Sequence, residues 1–305
     1  MKELIERFGY NGVVCLDGGM GQELRRRSPN EPTGLWSAQA LLDVPELVRE
    51  VHEDYIRAGA KVITTNSYAT VRSRLIAAGF DDDFEKLIRL AGQIAVASRD
   101  AVGEDILIAG SLPPLNGSYR PDRVLDRVQL EPVYREHAEL LAPYVDVFIC
   151  ETMSTIEEAQ VAATAAAQIG KPVWVAWTLK DDGAPMLRSG EALTDAFAAL
   201  SHIEVSAVLA NCCSPESITG AMADLQSMGT PLFGGYGNGF GDIPADWTVQ
   251  SHGVDALGQR KNNGPDDYAG HVLDWTNAGA NLVGGCCEIT PSHIARLTEL
   301  LKASL

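Results

Sequence analysis

The 305 residues include 24 basic and 41 acidic side chains, which gives a formal net charge of −17. Such acidity argues against a nucleic acid or an anionic membrane as partner, because both select basic protein surfaces. Hydrophobic residues make up 46% of the chain but form neither a signal-peptide run nor one near the roughly 18 residues of a membrane span, so we expect a cytoplasmic protein.

Short apolar runs alternate with longer amphipathic stretches along the whole chain. The runs are bounded by Gly, Pro, Asn or charged residues, which is typical of strands that are buried on both faces. The predicted strands are residues 13–17, 61–66, 106–111, 145–151, 172–178, 206–211, 231–236 and 281–285. The predicted helices are residues 45–58, 84–101, 131–141, 155–169, 193–202, 215–228, 265–277 and 291–303.

Eight predicted strands, each followed by a helix, favour an α/β fold of the (β/α)8 or TIM-barrel type. A doubly wound sheet is the alternative, but that fold usually has about five or six strands and a Gly-rich first turn. Residues 17–21 resemble such a turn only loosely, and no obvious helix-forming run follows them. Because no linker or low-complexity segment divides the chain, we expect a single domain over residues 1–305.

The longest connection covers residues 237–264, between the seventh strand and its helix, and is rich in Gly, Asp, Asn and Pro. A loop of this length in a compact domain is usually functional or disordered. On a barrel it would overhang the carboxyl ends of the strands, where the active sites of this fold lie. Our hypothesis is that residues 237–264 form an active-site lid.

Polar and sulfur-bearing residues follow the predicted strands, and on a barrel these strand ends share one face. In chain order they are Asp17, Asn66 and Tyr68, Ser111, Glu151, Thr178, Asn211 with Cys212 and Cys213, Asn238, and Cys286 with Cys287. Four of the six cysteines therefore fall on the predicted catalytic rim. Three or four thiolates at such a rim suit zinc, which prefers soft ligands in a tetrahedron.

The cysteines also have other interpretations. Cys15 and Cys150 lie inside predicted strands and are expected to be small buried hydrophobic residues. Adjacent residues of an extended chain point in opposite directions, so Cys212 and Cys213 need not reach the same metal ion. The two doublets are equally typical of a redox site. The six histidines form none of the common zinc-hydrolase patterns and do not compete as ligands.

Several motifs, taken in order over nearly the whole chain, resemble those of the homocysteine S-methyltransferase family. They are Asp17-Gly-Gly-Met-Gly-Gln-Glu-Leu, Thr65-Asn-Ser-Tyr, Asp146 with Glu151-Thr152, Asn211-Cys212, and Gly284-Gly-Cys-Cys followed by Thr290-Pro and His293-Ile. The resemblance implies a zinc-dependent barrel enzyme of methionine biosynthesis that methylates the thiol of homocysteine. It further implies small-molecule substrates, namely homocysteine and a methyl donor. We expect no nucleic-acid or membrane partner, and a monomer or small homo-oligomer.

The resemblance also assigns the metal ligands. Cys212, Cys286 and Cys287 match the three zinc thiolates of the family. Asn238 matches an asparagine that can fill the fourth zinc position before the substrate arrives. No catalytic residue beyond this Zn2+ centre is expected, because attack of a zinc-bound thiolate on a cationic methyl donor needs neither a general base nor an oxyanion hole.

The substrate-binding residues follow from the same resemblance. Asp17 and Glu151 match the acids that hold the amino group of homocysteine. Asn66, Tyr68 and Thr152 are further candidates for substrate binding. Asn66 and Tyr68 could instead be turn and rim-packing residues. Members that use betaine carry Tyr after the fourth-strand acid, where this chain has Thr152. A sulfonium donor such as S-methylmethionine or S-adenosylmethionine is therefore favoured over betaine.

Four aromatic residues are candidates for cation–π contact with such a donor: Tyr236, Trp177, Trp36 and Trp247. Two alternatives to homocysteine methylation stay open. One is methyl transfer to another thiol or to a selenol. The other is a dithiol redox or metal-holding barrel that transfers no methyl group.

Overall fold

The computed structural model describes residues 2–30, 34–241, 243–248 and 254–303. The strands are β1 Val14–Cys15, β2 Val62–Thr64, β3 Leu107–Leu112, β4 Val147–Met153, β5 Val173–Trp177, β6 Val205–Asn211, β7 Leu232–Gly237 and β8 Leu282–Gly285. These eight strands form one parallel sheet in the order β1-β8-β7-β6-β5-β4-β3-β2. A parallel bridge between Leu16 and Val62 joins β1 to β2, so the sheet closes into the predicted (β/α)8 barrel.

Helices connect the strands and cover the outside of the barrel. They are α1 Lys2–Phe8, α2 Met20–Arg27, α3 Ser37–Asp43, α4 Pro45–Arg57, α5 Arg72–Ala78, α6 Phe84–Val102, α7 Arg127–Leu141, α8 Ile156–Gln168, α9 Leu193–Ala198, α10 Pro215–Ser227, α11 Pro265–Asn277 and α12 Pro291–Ala303. None of the helices in the described residues is both long and apolar enough to cross a membrane.

All eight predicted strands and all eight predicted helices are confirmed, with shifts at some ends. Helix α7 begins at Arg127 rather than at residue 131, because the Asp126 carboxylate caps it by accepting from the Gln129 amide at 3.0 Å. Helix α8 begins with a similar cap, in which the Glu158 amide donates to Thr155 Oγ1 at 3.1 Å. Side-chain caps thus fix these helix starts.

Helix α2 directly follows the first glycine-rich turn, so the expectation that no helix begins there is wrong. Ion pairs from Glu23 to Arg26 and to Arg27, each at 2.7 Å, stabilise this short and mostly polar helix. Its apolar pattern is too weak to indicate a helix. Gly21 is needed here because a Cβ atom would lie 2.3 Å from the Trp36 indole.

Two apolar layers surround the strands. Side chains such as Val147, Ile149 and Trp174 fill the interior of the barrel, while their chain neighbours point outward against the helices. Cys15 and Cys150 are buried in the outer layer, as predicted for small hydrophobic residues. The polar strand ends are therefore left at the carboxyl face, where the site lies.

Candidate metal centre and substrate cavity

The barrel brings three of the four predicted rim cysteines together beyond β6 and β8. The sulfur atoms of Cys212, Cys286 and Cys287 all lie within 4.8 Å of one another. Cys212 and Cys286 form a disulfide in this structure, with Cα atoms 5.6 Å apart, and Cys287 is a free thiol. Once reduced, the three sulfurs are a soft donor set of the kind that zinc prefers. The residues therefore fit a zinc ion.

The backbone of β7 holds both cysteine segments in place, since β7 lies between β6 and β8. The amide of Cys212 donates to the Tyr236 carbonyl at 3.1 Å, and the amide of Cys286 donates to the Gly237 carbonyl at 2.8 Å. On the other side, the turn after β1 packs against Cys286 and Cys287. A Cβ atom on Gly19 would lie 2.6 Å from the Cys286 carbonyl oxygen, so only glycine fits there.

Cys213 lies apart from this group. Its side chain is buried in the outer layer between strands and helices, whereas Cys212 joins the apolar cluster above the barrel. The two neighbours thus face different surroundings, which resolves the alternative that the sequence leaves open. Cys212 itself has a φ of 50°, a conformation that non-glycine residues rarely adopt.

Left-handed backbone is concentrated around the site. Non-glycine residues with positive φ that line the cavity or adjoin a lining residue are Trp36 (48°), Tyr119 (64°), Thr152 (60°), Cys212 (50°) and Glu288 (67°). Each such conformation costs on the order of 1–3 kcal/mol and persists only where the surrounding structure imposes it. This strain indicates a site whose geometry is fixed by its neighbours.

An open cavity lies over the cysteines. Its wall combines acidic, aromatic and sulfur-bearing side chains. They include Asp17, Trp36, Asn66, Tyr68, Arg74, Ser118, Tyr119, Glu151, Cys212, Tyr236, Phe240, Trp247, Cys286 and Cys287. This mixed lining suits small polar molecules with apolar parts.

Two buried carboxyl groups form the acidic side of this cavity. Asp17 accepts from the Thr64 amide at 2.7 Å and from Thr64 Oγ1 at 3.2 Å. Burial raises the pKa of Asp17 to about 8, the Thr64 hydrogen bonds oppose this shift, and the charge of Glu151 adds to it. Glu151 accepts from Ser111 Oγ at 2.5 Å and from the Tyr236 hydroxyl at 3.1 Å. Burial raises the pKa of Glu151 against these bonds, so a cation between the two acids is favourable.

The two candidates after β2 both reach the cavity. The Asn66 amide donates to the Ser37 carbonyl at 3.0 Å, which leaves its carbonyl oxygen for other partners. The Tyr68 hydroxyl forms a 2.7 Å hydrogen bond with Ser118 Oγ, and burial raises its pKa. Both residues are therefore placed where they could contact a ligand.

Thr152 and Asn238 are buried but are not among the residues that line the cavity. Thr152 Oγ1 accepts from the Asn211 side chain at 3.0 Å, which ties β4 to β6. The amide of Asn238 donates to the Cys213 carbonyl at 3.0 Å, and its Oδ1 accepts from the Phe240 amide at 3.2 Å. The Nδ2 of Asn238 is buried and has no hydrogen-bond partner among the described residues. The sequence does not reveal these side-chain orientations.

Two further residues of the cavity wall, Tyr119 and Ser118, come from the connection after β3 and were not predicted from the sequence. The Tyr119 hydroxyl donates to Cys212 Sγ at 3.3 Å and so contacts the sulfur cluster directly. A proline- and glycine-rich stretch after a strand is the only signal that could have found them. Of the four aromatic candidates, Tyr236, Trp36 and Trp247 line the cavity, whereas Trp177 is fully buried in the outer layer.

The described part of segment 237–264 lies above the cysteines. Phe240, Trp247, Val254 and Leu257 cluster with Tyr119, Cys212 and Cys287. The segment is not structureless, since Phe240 and Gln259 form an antiparallel bridge and residues Asp255–Leu257 form a short 3-10 helix. Residues 242 and 249–253, including His252, lie outside the described residues. Whether the segment closes on a substrate stays a prediction.

Glu288 connects three elements beside the cysteine doublet. Its carboxylate accepts from Gln22 of α2 and from Gln259 of segment 237–264, and pairs with Arg26 at 3.1 Å. The Gly239 amide also donates to the Cys287 carbonyl at 2.8 Å. These bonds attach both α2 and the long segment to the turn that carries Cys286 and Cys287.

Comparison with known proteins gives consistent similarity over the whole barrel. A family model described as homocysteine S-methyltransferase matches residues 14–301. The homocysteine S-methyltransferase of Escherichia coli (strain K12) is 32% identical, covering 93% of this chain and 94% of that protein. The selenocysteine methyltransferase of Astragalus bisulcatus is 30% identical, covering 99% of this chain and 95% of that protein. The metallated form of the homocysteine methyltransferase MmuM from Escherichia coli superposes with a TM-score of 0.81 at 29% identity, covering 98% of this chain and 99% of that structure.

Proposed function

This chain belongs to the homocysteine S-methyltransferase family, and on this basis we propose that it transfers a methyl group from a sulfonium donor to the thiol of homocysteine, with zinc as its metal. The observation that carries the proposal is the group of three sulfurs within 4.8 Å of one another, on the wall of a cavity that also holds two buried acids. Sulfur ligands favour zinc over magnesium or calcium, which prefer oxygen.

Cys212, Cys286 and Cys287 are the proposed zinc ligands, and they must be reduced to serve as thiolates. Bound zinc would supply Lewis acidity that allows a substrate thiol to lose its proton at neutral pH. Asn238 is the proposed fourth ligand in the absence of substrate. Its Oδ1 accepts from the Phe240 amide at 3.2 Å, and its buried Nδ2 has no partner among the described residues.

Asp17 and Glu151 are the proposed binding site for the ammonium group of homocysteine. An ammonium group between them offsets the repulsion and the burial that raise both of their pKa values. Asn66 and Tyr68 line the same cavity and are proposed as further substrate contacts. Thr152 is proposed to position the end of β6, next to Cys212, through its hydrogen bonds with Asn211.

The methyl transfer is a direct displacement. The homocysteine sulfur, whose proton has passed to water, forms a bond to the methyl carbon. The bond from that carbon to the donor sulfonium breaks, and its electron pair stays on the donor sulfur, which leaves as a neutral thioether. Trp36, Tyr119 and Trp247 exclude water and offer ring faces to the cationic donor.

S-methylmethionine and S-adenosylmethionine are the proposed donors, since Thr152 stands where betaine-using members have Tyr. A cytoplasmic location is part of the proposal, because these substrates are small metabolites of methionine biosynthesis. A second candidate acceptor is a selenol, which the 30% identity to a selenocysteine methyltransferase favours. A third reading is a redox site, which the disulfide between Cys212 and Cys286 favours.

Metal analysis and methyl-transfer assays on the reduced protein test the proposal. We expect about one zinc per chain and transfer from a sulfonium donor to homocysteine. A Cys286→Ser, Cys287→Ser double variant should lose zinc and at least about 100-fold in rate. Cys150→Ser, altered at a buried cysteine outside the cluster, is the matched control.

Three outcomes would contradict the proposal. If the double variant transferred methyl at the wild-type rate, Cys286 and Cys287 would not be required for the reaction. Zinc could bind without transfer to any thiol, which indicates a metal-holding protein. If selenocysteine were methylated with a much higher kcat/KM than homocysteine, the preferred acceptor would be the selenol rather than homocysteine.

A further inference from the structure

Arg74 is a buried cation on the cavity wall without a partner among the described residues. It lies on α5, is 7% exposed, and lines the cavity together with Tyr68 and Ser118. Its Nη1 is buried and has no hydrogen-bond acceptor in the part of the chain that the structure describes. Arg72, two residues earlier on the same helix, pairs instead with Glu136 at 2.7 Å and Asp81 at 3.1 Å.

An unpaired guanidinium in such a position is unusual, because arginine is almost never fully buried without a compensating group. Burial lowers the pKa of Arg74, and the nearby Tyr68 hydroxyl is the group that opposes this shift. A purely structural arginine would be expected to reach a carboxylate or several carbonyl oxygens. An anionic group on a bound ligand would supply the acceptor that Arg74 Nη1 lacks.

Different residues of the cavity wall hold the acids and Arg74. Asp17 and Glu151 accept hydrogen bonds from Thr64, Ser111 and Tyr236, whereas Arg74 comes from helix α5 and its Nη1 has no partner among the described residues. If the ammonium group of homocysteine lies between the two acids, the donor is the second amino acid in the cavity and can bring its own carboxylate to Arg74.

Resting on the function proposed above, we infer that Arg74 binds the carboxylate of an amino-acid methyl donor and makes the enzyme select sulfonium donors that carry one. The guanidinium can donate two parallel N–H bonds to a carboxylate, a geometry that a neutral ester does not reproduce with the same strength. The homocysteine carboxylate is the other possible source of the same group. Kinetics with matched donors separate the two sources.

The test compares S-methylmethionine with its carboxyl methyl ester, which keeps the sulfonium and the ammonium but loses the negative charge. We expect Arg74→Met to lower kcat/KM for S-methylmethionine about 10- to 100-fold and to leave the ester and the KM for homocysteine unchanged. Arg74→Lys should retain part of the preference for the carboxylate. Arg72→Met removes a charge from the same helix outside the cavity and is the matched control.

The Tm of the Arg74→Met variant distinguishes a ligand-binding Arg74 from a structural one, because the two roles predict opposite changes. Because Arg74→Met removes a buried and unpaired charge, its Tm without substrates should equal or exceed that of the wild type. A clearly lower Tm would indicate a structural arginine and overturn the inference. If the Met variant does not fold, Arg74→Gln is measured in the same way.

The outcomes separate this inference from the proposed function. Unchanged kinetics of Arg74→Met with both donors would overturn the role of Arg74 while methyl transfer stands. A higher KM for homocysteine alone would overturn the donor assignment and give the carboxylate to the acceptor. If the wild type transfers no methyl group, the proposed function fails, and equilibrium binding of S-methylmethionine and of its ester still tests Arg74. Equal affinity of the wild type for the two compounds would then overturn the inference.

Discussion

At the scale of single residues, Asp17 shows how burial prepares a group for its ligand. Its carboxyl group is held by Thr64 on the neighbouring strand and lies in the same cavity as Glu151. Burial raises its pKa to about 8, so the free protein holds a proton there at neutral pH. Binding of an ammonium group favours the ionised form and thus couples substrate binding to release of that proton.

The first prediction concerns this coupling. Because the carboxyl group must be ionised to bind the ammonium, kcat/KM for homocysteine should rise with pH up to about 8, by about tenfold per pH unit below that value. Asp17→Asn should lower kcat/KM about 10- to 100-fold and remove this dependence. The measurement is the pH profile of kcat/KM for the wild type and the variant.

Glu158→Gln supplies the control, because Glu158 is a buried carboxyl group outside the cavity. Titration of the substrate itself is common to all three proteins and cancels in the comparison. A profile that keeps its rise in Asp17→Asn would show that another group is responsible.

Single residues also mark the limit of what the sequence predicts. Asp17, Glu151 and the three clustered cysteines were identified because they directly follow apolar strands, whose ends share one face of a barrel. Tyr119 and Arg74 were missed because they come from a loop and from a short helix that carry no strand-end signal. The contacts of Thr152 with Asn211 depend on which way a buried side chain turns, and no sequence pattern encodes this.

At the scale of elements, the predictions were correct where the spacing of apolar residues indicates which side chains are buried. Continuous apolar runs identified all eight strands, and amphipathic stretches identified the eight predicted helices. Helix α2 was missed because its stability comes from Glu23 and its arginine partners rather than from an apolar face. The structure inside residues 237–264 was missed because its bridge joins Phe240 to Gln259 across an irregular turn.

The second prediction concerns segment 237–264, which we propose as a lid. Trp247 lines the cavity and clusters with two of the candidate zinc cysteines. Trp247→Ala should admit water and lower kcat about tenfold, which corresponds to roughly 1.4 kcal/mol. In the wild type, homocysteine and donor together should slow proteolytic cleavage within this segment.

Limited proteolysis, sampled at a series of times and followed by mapping of the fragments, tests whether the segment closes. Cleavage at sites outside residues 237–264 serves as the internal control, because substrates should not alter it. Equal cleavage within the segment with and without substrates would argue against closure.

At the scale of the whole molecule, two buried histidines should make stability depend on pH. Burial lowers the pKa of both His52 and His137 to about 3, and neither ring has a hydrogen-bond partner among the described residues. In the unfolded chain the same rings have a pKa of about 6.5. Below that value only the unfolded state takes up these protons, so acid favours unfolding.

The third prediction is that acid destabilises the folded protein through these two histidines. Between pH 6.5 and pH 3, each histidine should remove about 1.4 kcal/mol of stability per pH unit. Asp17 and Glu158 act in the opposite sense, since their raised pKa values of about 8 and about 7 favour protonation in the folded state. The test is therefore the difference in the free energy of unfolding between the wild type and a His52→Leu, His137→Leu variant.

Denaturant titrations at a series of pH values give this difference. The wild type should lose stability relative to the double variant as the pH falls below 6.5. Substitution of His202, which is exposed, is the control. A difference that stays constant with pH would refute the contribution of the buried histidines.

The pairing of β8 with β1 also has a consequence for biosynthesis. Ribosomes make Cys212 well before Cys286 and Cys287, and those two follow the last strand of the barrel. A nascent chain that has completed seven strands therefore carries one ligand of the candidate centre and lacks the other two. On the proposed assignment of ligands, metal capture would wait until the final strand has emerged and paired with the first, and loading with zinc would report that the ring of strands is complete.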